Sequence, residues 1–164
     1  MLRFAILRWP LWALIASAVM LGIAHGFETF GHLAPCELCL VQRQAYWAAM
    51  GIAAVGVGLD FTSIKARALV CLLLAGAFLW GGGYAVYHAG AEWKFWPGPS
   101  TCSGGSVHVN AADLARLLHG VARKVPHCDE APWVFAGLSM AGWNVITSLI
   151  LAGFSLLSIR EPSK

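Results

Sequence analysis

Four long stretches of the chain contain no Asp, Glu, Lys or Arg. They run from Trp9 to Phe27, from Gln44 to Leu59, from Ala68 to Ala91 and from Ala131 to Ile159. A helix needs roughly 20 apolar residues to cross a hydrocarbon core about 30 Å thick, so each stretch is a candidate membrane helix. We expect spans at about residues 9–26, 40–59, 68–88 and 142–159.

The composition agrees with a membrane protein. Of the 164 residues, 59% are hydrophobic and 12% are charged, whereas an ordinary soluble domain carries about 25% charged residues. The excess of eleven Lys and Arg over eight Asp and Glu is too small and too scattered for a nucleic-acid-binding protein. No internal repeat divides the chain. The expected fold is all-α, a polytopic four-helix membrane bundle that forms a single integral membrane domain over residues 1–164.

The first apolar run has a second interpretation, as a cleaved secretory signal. Arg3 and Arg8 precede it, and Ala16-Ser17-Ala18 resembles a small-residue cleavage site. The run continues well past that site and is longer than a usual signal core. This length favours a membrane helix.

The basic residues predict how the bundle is oriented. With four spans, the two chain ends and the loop at 60–67 share one side of the membrane, and these short segments are rich in Lys and Arg. They carry Arg3, Arg8, Lys65, Arg67, Arg160 and Lys164. By the positive-inside rule this side is cytoplasmic. The loops at about 27–39 and 89–141 should then face outward.

The second outer loop is expected to carry a short helix. It opens with Trp93, Phe95 and Trp96, which suit the membrane interface. After Asn110, a favourable N-cap, apolar residues recur at helical spacing opposite basic ones. This pattern predicts an amphipathic helix, which either lies on the membrane surface or packs against the ends of the bundle.

Four of the five cysteines fall on the outer side, where an oxidising compartment favours disulfides. Their positions in the two loops predict two bridges, Cys36 with Cys39 and Cys102 with Cys128. Cys71 lies inside the third span, away from charge. We interpret it as a small apolar core residue, because a buried thiol of this kind is unreactive.

The sequence Pro35-Cys36-Glu37-Leu38-Cys39 stands directly before the second span. Unpaired N–H groups and the positive end of the helix dipole favour a thiolate there, which is the reacting species in disulfide exchange. Two residues between the cysteines allow a tight, readily reduced ring, typical of redox-active pairs. Half of a zinc site is the alternative, but no second C-x-x-C or H-x3-5-H motif completes a tetrahedral set, so we expect no metal. A c-type haem site is excluded, because Leu40 rather than His follows Cys39.

Arg43 and His88 are candidates to serve this redox pair. In a helix, Cys36, Cys39 and Arg43 line one face at i, i+3 and i+7. A charge inside a span needs a partner or must reach the interface, so Arg43 either stabilises an anion near Cys39 or extends to the headgroups. His88 closes the third span on the same side; it either supplies a proton or hydrogen bond or is a lone interfacial histidine. The nearby Gly81-Gly82-Gly83 leaves room for close helix packing or for a planar ligand.

Together these residues resemble the disulfide bond formation protein B (DsbB) family, membrane thiol oxidases that re-oxidise the periplasmic dithiol oxidase DsbA and pass the electrons to quinone. The resemblance covers nearly the whole chain. Besides the four spans, it rests on Pro35-Cys36-x-x-Cys39 followed by Gln42-Arg43, Tyr87-His88, Trp96-Pro97-Gly98-Pro99 before Cys102, and Cys128 before the fourth span.

The resemblance implies a role for each of these cysteines. A reduced DsbA-like partner attacks Cys102 to form a mixed disulfide, and Cys128 exchanges next with Cys36. Cys39, released as a thiolate, donates to a membrane quinone, either ubiquinone or menaquinone. The implied catalytic residues are therefore Cys36, Cys39, Cys102 and Cys128. The implied cofactor-binding residues, at the quinone ring, are Arg43 and His88.

Three other functions remain open on the sequence. Vitamin K epoxide reductases are similar in architecture and cysteine logic. A membrane scaffold with purely structural disulfides is possible, although it explains poorly the C-x-x-C motif above Arg43. A haem or metal carrier is disfavoured, because the six histidines are dispersed and no pair stands at i, i+4 within a span.

Overall fold

Four helices account for most of the described part of the chain. The computed structural model describes residues 8–59, 64–99 and 127–159. Within these ranges the helices are α1 (Trp9–Thr29), α2 (Glu37–Gly58), α3 (Ile64–Glu92) and α4 (Met140–Leu157). Each coincides with one predicted span, and the all-α fold is confirmed. The amphipathic helix predicted after Asn110 lies outside the described residues.

Three of these helices, α1, α3 and α4, are long and apolar enough to cross a membrane. The 22 residues of α2 also reach about 33 Å, but Gln42, Arg43 and Gln44 lower its hydropathy. The described residues therefore give three candidate spans by length and composition, where the apolar runs predicted four. The polar residues Gln42 and Arg43 are paired with side chains of neighbouring helices, so the lower hydropathy of α2 reflects its place in the bundle.

The bundle is held by contacts of α3 with α2 and α4, and of α2 with α1. Trp9 joins α1 to α4, because its ring stacks on Phe154 with centroids 5.4 Å apart and its indole N–H donates to Ser155 Oγ at 2.9 Å. Cys71 is buried in the core, as predicted, but it is not away from charge, because the buried Arg67 side chain one turn earlier is hydrogen-bonded to it. The core also contains Ala13, Leu21, Tyr46, Ala49, Ala53, Val70, Leu74, Phe78, Leu151 and Ala152.

Two glycines bring α3 close to its neighbours. A Cβ added to Gly81 would lie 2.7 Å from Ala45 Cβ of α2, and one added to Gly82 would lie 3.1 Å from Ser148 Cβ of α4. Gly83 faces open space. Of the two interpretations of this glycine run, close helix packing accounts for Gly81 and Gly82.

After α3 the chain folds back on the end of that helix. Trp96 stacks on Tyr87, with ring centroids 6.1 Å apart, and donates its indole N–H to the Tyr87 carbonyl at 2.9 Å. Gly90 makes the approach possible, because a Cβ there would overlap the Trp96 ring. Trp93 and Phe95 stay exposed, as interfacial side chains do.

A short hairpin that the sequence did not predict leads into α4. Strand β1 (Val134–Phe135) pairs antiparallel with β2 (Leu138–Ser139). The turn residues Ala136 and Gly137 have φ angles of 51° and 81°. Positive φ at both positions suits a two-residue hairpin, but Ala is an uncommon residue there, so the sequence carries no usual hairpin signal.

Candidate functional site

Cys36 and Cys39 lie together at the start of α2. Cys36 is the N-cap residue, and its Sγ accepts a hydrogen bond from the Cys39 backbone N–H at 3.3 Å. The two Sγ atoms are 2.9 Å apart, and both residues are free thiols. The predicted Cys36–Cys39 disulfide is thus corrected: the structure holds the reduced form of the pair. The i, i+3 spacing at a helix start is what brings the sulfurs together.

Cys128 approaches this pair from the outer loop. It is disulfide-bonded, and its predicted partner Cys102 lies outside the described residues. The sulfurs of Cys128 and Cys36 and a ring nitrogen of His88 all lie within 4.8 Å of one another. Cys36, Cys128 and Leu38 form a buried cluster against which Cys39 packs. Three of the four predicted catalytic cysteines are therefore in one place.

Lys94 fixes the segment that carries Cys128. Its Nζ donates to Asp129 Oδ2 at 2.7 Å and to the Asp129 carbonyl at 2.8 Å. The hydrogen bond from Lys94 holds the pKa of Asp129 below its usual value. This exposed contact ties the outer loop to the end of α3, next to the cysteines.

A chain of buried polar side chains holds the His88 ring. Gln42 Nε2 lies 3.0 Å from His88 Nδ1, and Gln42 Oε1 accepts from Asn144 Nδ2 at 2.6 Å. The Tyr46 hydroxyl donates in turn to Asn144 Oδ1. Since Gln42 occupies Nδ1, the other ring nitrogen, Nε2, faces Cys36 Sγ at 3.7 Å. His88 is therefore a buried partner of Cys36 and not a lone interfacial histidine.

These contacts favour a thiolate at Cys36. Hydrogen bonds to its sulfur from the Cys39 thiol, the His88 ring and the Cys39 backbone N–H lower the pKa of Cys36 from 9.0 to about 5. Burial opposes this shift but does not overcome it. A thiolate is the nucleophile in disulfide exchange, so Cys36 is chemically prepared to react with a neighbouring disulfide.

Arg43 has a partner that the sequence analysis did not name. Its Nη1 donates to Glu28 Oε2 at 2.7 Å, and its Nη2 donates to the Ala24 carbonyl at 3.0 Å, both on α1. The Arg43 side chain is 15% exposed. The charge is therefore compensated within the bundle, and extension to the headgroups is not needed to explain it. Two of the five guanidinium N–H groups make these bonds.

A cavity of about 360 Å³ lies beside Cys39 and Arg43, walled by α1, α2, α4 and the hairpin segment. Its volume is within the range of small-molecule sites. The polar residues that line it are Cys39, Gln42, Arg43, Tyr46, His88, Asn144 and Thr147. Apolar side chains make most of the wall, among them Met20, Leu21, Phe27, Trp133, Met140 and Trp143. This lining fits a quinone: apolar walls suit its ring and tail, and the Arg43 guanidinium has N–H groups that suit its oxygens. His88 also lines the cavity, but Gln42 contacts its Nδ1 and its Nε2 faces Cys36.

Sequence reasoning missed three polar residues of this site: Glu28, Glu92 and Asn144. Glu92 stands one turn after His88, at the i, i+4 spacing that places two side chains together, so this signal was present. Glu28 and Asn144 pair with residues of other helices. Their partners depend on how the helices pack, which no local pattern reveals.

Comparisons with known proteins place the chain in one family. Residues 7–158 match the family model described as Disulfide bond formation protein DsbB. Relatives named Disulfide bond formation protein B include one from Nitrosospira multiformis, 31% identical over 90% of this chain and 88% of that protein. Another, from Dechloromonas aromatica, is 32% identical over 87% of this chain and 86% of that protein. No solved structure matches the chain.

Proposed function

The chain belongs to the DsbB family of membrane disulfide-forming oxidoreductases, and on that basis we propose that it re-oxidises a DsbA-like periplasmic thiol oxidase and passes the electrons to a membrane quinone. One observation carries the proposal. The Cys36–Cys39 pair lies between the disulfide-bonded Cys128 on one side and the cavity beside Arg43 on the other. A thiol pair in that position can exchange with the Cys128 disulfide on one side and pass its electrons to a ligand of the cavity on the other.

The exchange half of the cycle runs through the loop cysteines. A thiolate of the reduced partner attacks Cys102, and Cys128 leaves with the electron pair of the broken S–S bond. Cys128 then attacks Cys36 of an oxidised Cys36–Cys39 pair, and Cys39 leaves as a thiolate. The separation of at most 4.8 Å between the Cys128 and Cys36 sulfurs supports this second step. The second thiolate of the partner attacks the mixed disulfide, so the partner leaves oxidised and Cys102 leaves as a thiolate. Cys102 then attacks Cys128, which restores the loop disulfide and releases Cys36 as a thiolate, leaving the Cys36–Cys39 pair reduced. His88 stabilises the charge on Cys36 in this last step.

The discharge half takes place at the cavity. Cys39, Arg43 and His88 are the residues that would hold the quinone headgroup there. When bound, the quinone supplies an acceptor for the two electrons that the Cys36–Cys39 pair gives up on closing to a disulfide. Arg43 contributes a fixed cation where negative charge develops, in a setting where water does not screen it. The apolar walls exclude water from the Cys39 sulfur.

We place the protein in the bacterial inner membrane as a single multi-pass domain, with both termini in the cytoplasm. The support is the clustering of basic residues in the short segments on one side. In this orientation Cys36, Cys39, Cys102 and Cys128 face the periplasm, where a DsbA-like partner works.

Anaerobic mixing of the purified protein, a quinone and a reduced periplasmic dithiol protein tests the proposal. We expect one quinone to be reduced for each partner disulfide formed. The loss of quinone absorbance measures this reduction. A Cys71→Ala variant, altered only in the core, is the matched control and should behave like the wild type. Partner oxidation without quinone reduction would show that quinone is not the electron acceptor. No partner oxidation by well-folded protein would remove the partner.

A further inference from the structure

Glu92 is a buried carboxyl group that neither half of the proposed cycle uses. It ends α3, and its side chain is only 2% exposed. The Ser139 hydroxyl, which also caps α4, donates to Glu92 Oε2. Its other oxygen, Oε1, lies 3.8 Å from His88 Nε2. A carboxyl group so far removed from water is costly unless its charge is compensated or it holds a proton.

The titratable groups that face Glu92 come from α2 and α3. They are His88 on its own helix, and Cys36 and Cys39 at the start of α2. A carboxylate at Glu92 together with a thiolate at Cys36 would place two negative charges around one imidazole, in a region of low dielectric. Two like charges held so close do not both form at low cost. While Cys36 is a thiolate, the proton therefore belongs on Glu92.

Reduction of a quinone takes up one more proton than the Cys36–Cys39 pair releases, and a protonated carboxyl group can supply it. Closing the Cys36–Cys39 bond from one thiolate and one thiol releases two electrons but only one proton, the one on Cys39. A quinone that accepts two electrons also takes two protons. The dithiol alone is one proton short.

We propose that Glu92 is a proton store that supplies the second proton by way of His88, so that each closure of the Cys36–Cys39 disulfide leaves Glu92 as a carboxylate. The step is balanced: the S–S bond forms, two electrons and the protons of Cys39 and Glu92 pass to the quinone, and one negative charge moves from Cys36 to Glu92. His88 is suited to the transfer, because its Nε2 lies near both Cys36 and Glu92 and its ring lines the cavity. The proton path to the cavity rests on the proposed function.

The pH dependence of the reduction potential of the Cys36–Cys39 pair tests this inference without quinone or partner. Full-length protein carrying Cys102→Ala and Cys128→Ala is equilibrated with thiol–disulfide buffers, quenched in acid, and its free thiols are counted by mass. Between about pH 6 and pH 8, Cys36 is a thiolate in the reduced form. Oxidation should then release two protons, the same number that the buffer disulfide takes up on reduction to two thiols, so the exchange equilibrium constant should not change with pH.

Glu92→Gln keeps the size and a polar group for Ser139 but cannot release a proton. Its oxidation should release one proton while the buffer takes up two, so we expect the exchange equilibrium constant for oxidation of the pair to fall tenfold per pH unit, about 30 mV relative to the buffer. Glu37→Gln is the matched control, because Glu37 is an exposed carboxylate beside Cys36, and it should keep the two-proton dependence. Equal slopes in the wild type and Glu92→Gln, whether for one proton or for two, would overturn the inference.

Infrared difference spectra of the wild type give a second measurement that needs no folded variant. The reduced protein should show a protonated-carboxyl C=O band that disappears on oxidation of the dithiol by a non-quinone oxidant. Absence of such a band overturns the inference. If both measurements agree with a proton store but quinone is not reduced in the mixing experiment, the proposed function fails while the proton count stands.

Discussion

His88 Nε2 lies 3.7 Å from Cys36 Sγ, a contact that joins the outer end of α3 to the N-cap of α2. Through it, a sulfur at a helix N-cap faces an imidazole whose other nitrogen is occupied by Gln42. The ring cannot turn away without breaking the buried chain that reaches Asn144. The reactivity of Cys36 therefore depends on a histidine that three helices orient.

Alkylation of Cys36 in the reduced protein should depend on pH in an unusual range. Because the pKa of Cys36 is lowered from 9.0 to about 5, the thiolate is present above that pH and is lost as the pH falls through it. The Cys36 thiolate also contributes to the free energy of unfolding. This contribution is fully present above about pH 9 and is lost as the pH falls towards 5. Iodoacetamide rates, read peptide by peptide by mass spectrometry, should stay nearly constant from about pH 6 upward.

His88→Ala should move that profile to higher pH. A hydrogen bond to a charged group contributes about 1.5–3 kcal/mol, which corresponds to roughly one to two pH units. His25→Ala is the control, since His25 bonds to the Leu21 carbonyl within α1 and should leave the profile in place. An unchanged midpoint in His88→Ala would mean that the contact does not stabilise the thiolate.

The loop cysteines should separate two steps of the cycle. Cys102→Ser is expected to abolish oxidation of the partner, while the Cys36–Cys39 pair still reacts with quinone. Cys128→Ser should also stop oxidation of the reduced partner, but its free Cys102 thiol can attack the disulfide of the oxidised partner, so this variant should accumulate a mixed disulfide that Cys102→Ser cannot form. Non-reducing electrophoresis distinguishes the two results. If neither substitution slows partner oxidation, the loop bridge has only a structural role.

Arg43→Ala should lower quinone turnover or affinity by on the order of a hundredfold, since losing one such donor costs about 2.7–4 kcal/mol in enzyme sites. Arg43→Lys should be intermediate, because it keeps the charge but loses the planar fork. Glu28→Gln should be milder, as it removes the partner but leaves the guanidinium beside the cavity. Steady-state quinone kinetics measure all three. Unchanged kinetics in Arg43→Ala would leave Arg43 as a structural partner of Glu28 only.

Two glycine substitutions on α3 should affect stability in opposite directions. Gly81→Ala puts a methyl group 2.7 Å from Ala45 Cβ, and such overpacking typically costs about 1–3 kcal/mol. Gly83→Ala meets open space and should stabilise the helix by up to about 1 kcal/mol. Thermal unfolding in detergent compares them directly. Equal melting temperatures would mean that α2 and α3 do not pack as closely as described.

The orientation can be measured with a membrane-impermeant thiol reagent. In reduced spheroplasts it should label the cysteines of the outer loops and leave Cys71 unlabelled, because Cys71 is buried in the core. Labelling that occurs only in inverted vesicles would reverse the orientation and the proposed partner with it.

The helices could be predicted from the sequence because a bilayer demands long apolar runs, and the Cys36–Cys39 pair because its motif is local. The state of that pair could not, since a disulfide and two thiols share one sequence. Arg43 was identified as a charge that needs an explanation, but its partner Glu28 is chosen by the packing of α1 on α2. In the same way, Gln42 meets Asn144 only because α2 and α4 both lie against α3. Pairings across helices depend on packing that no local sequence pattern encodes.

The Glu28–Arg43 ion pair also gives the cavity a preference among ligands. Without Glu28, the Arg43 guanidinium beside the cavity would attract anions such as lipid headgroups and soluble carboxylates. With Glu28 at 2.7 Å the pair carries no net charge, so a neutral ring entering from the lipid has no ionic competitor. The same cation responds only once electrons arrive and the ligand begins to acquire charge. The ion pair therefore favours a neutral ligand over an anionic one when the ligand binds. Arg43 then stabilises the negative charge that the ligand acquires on reduction.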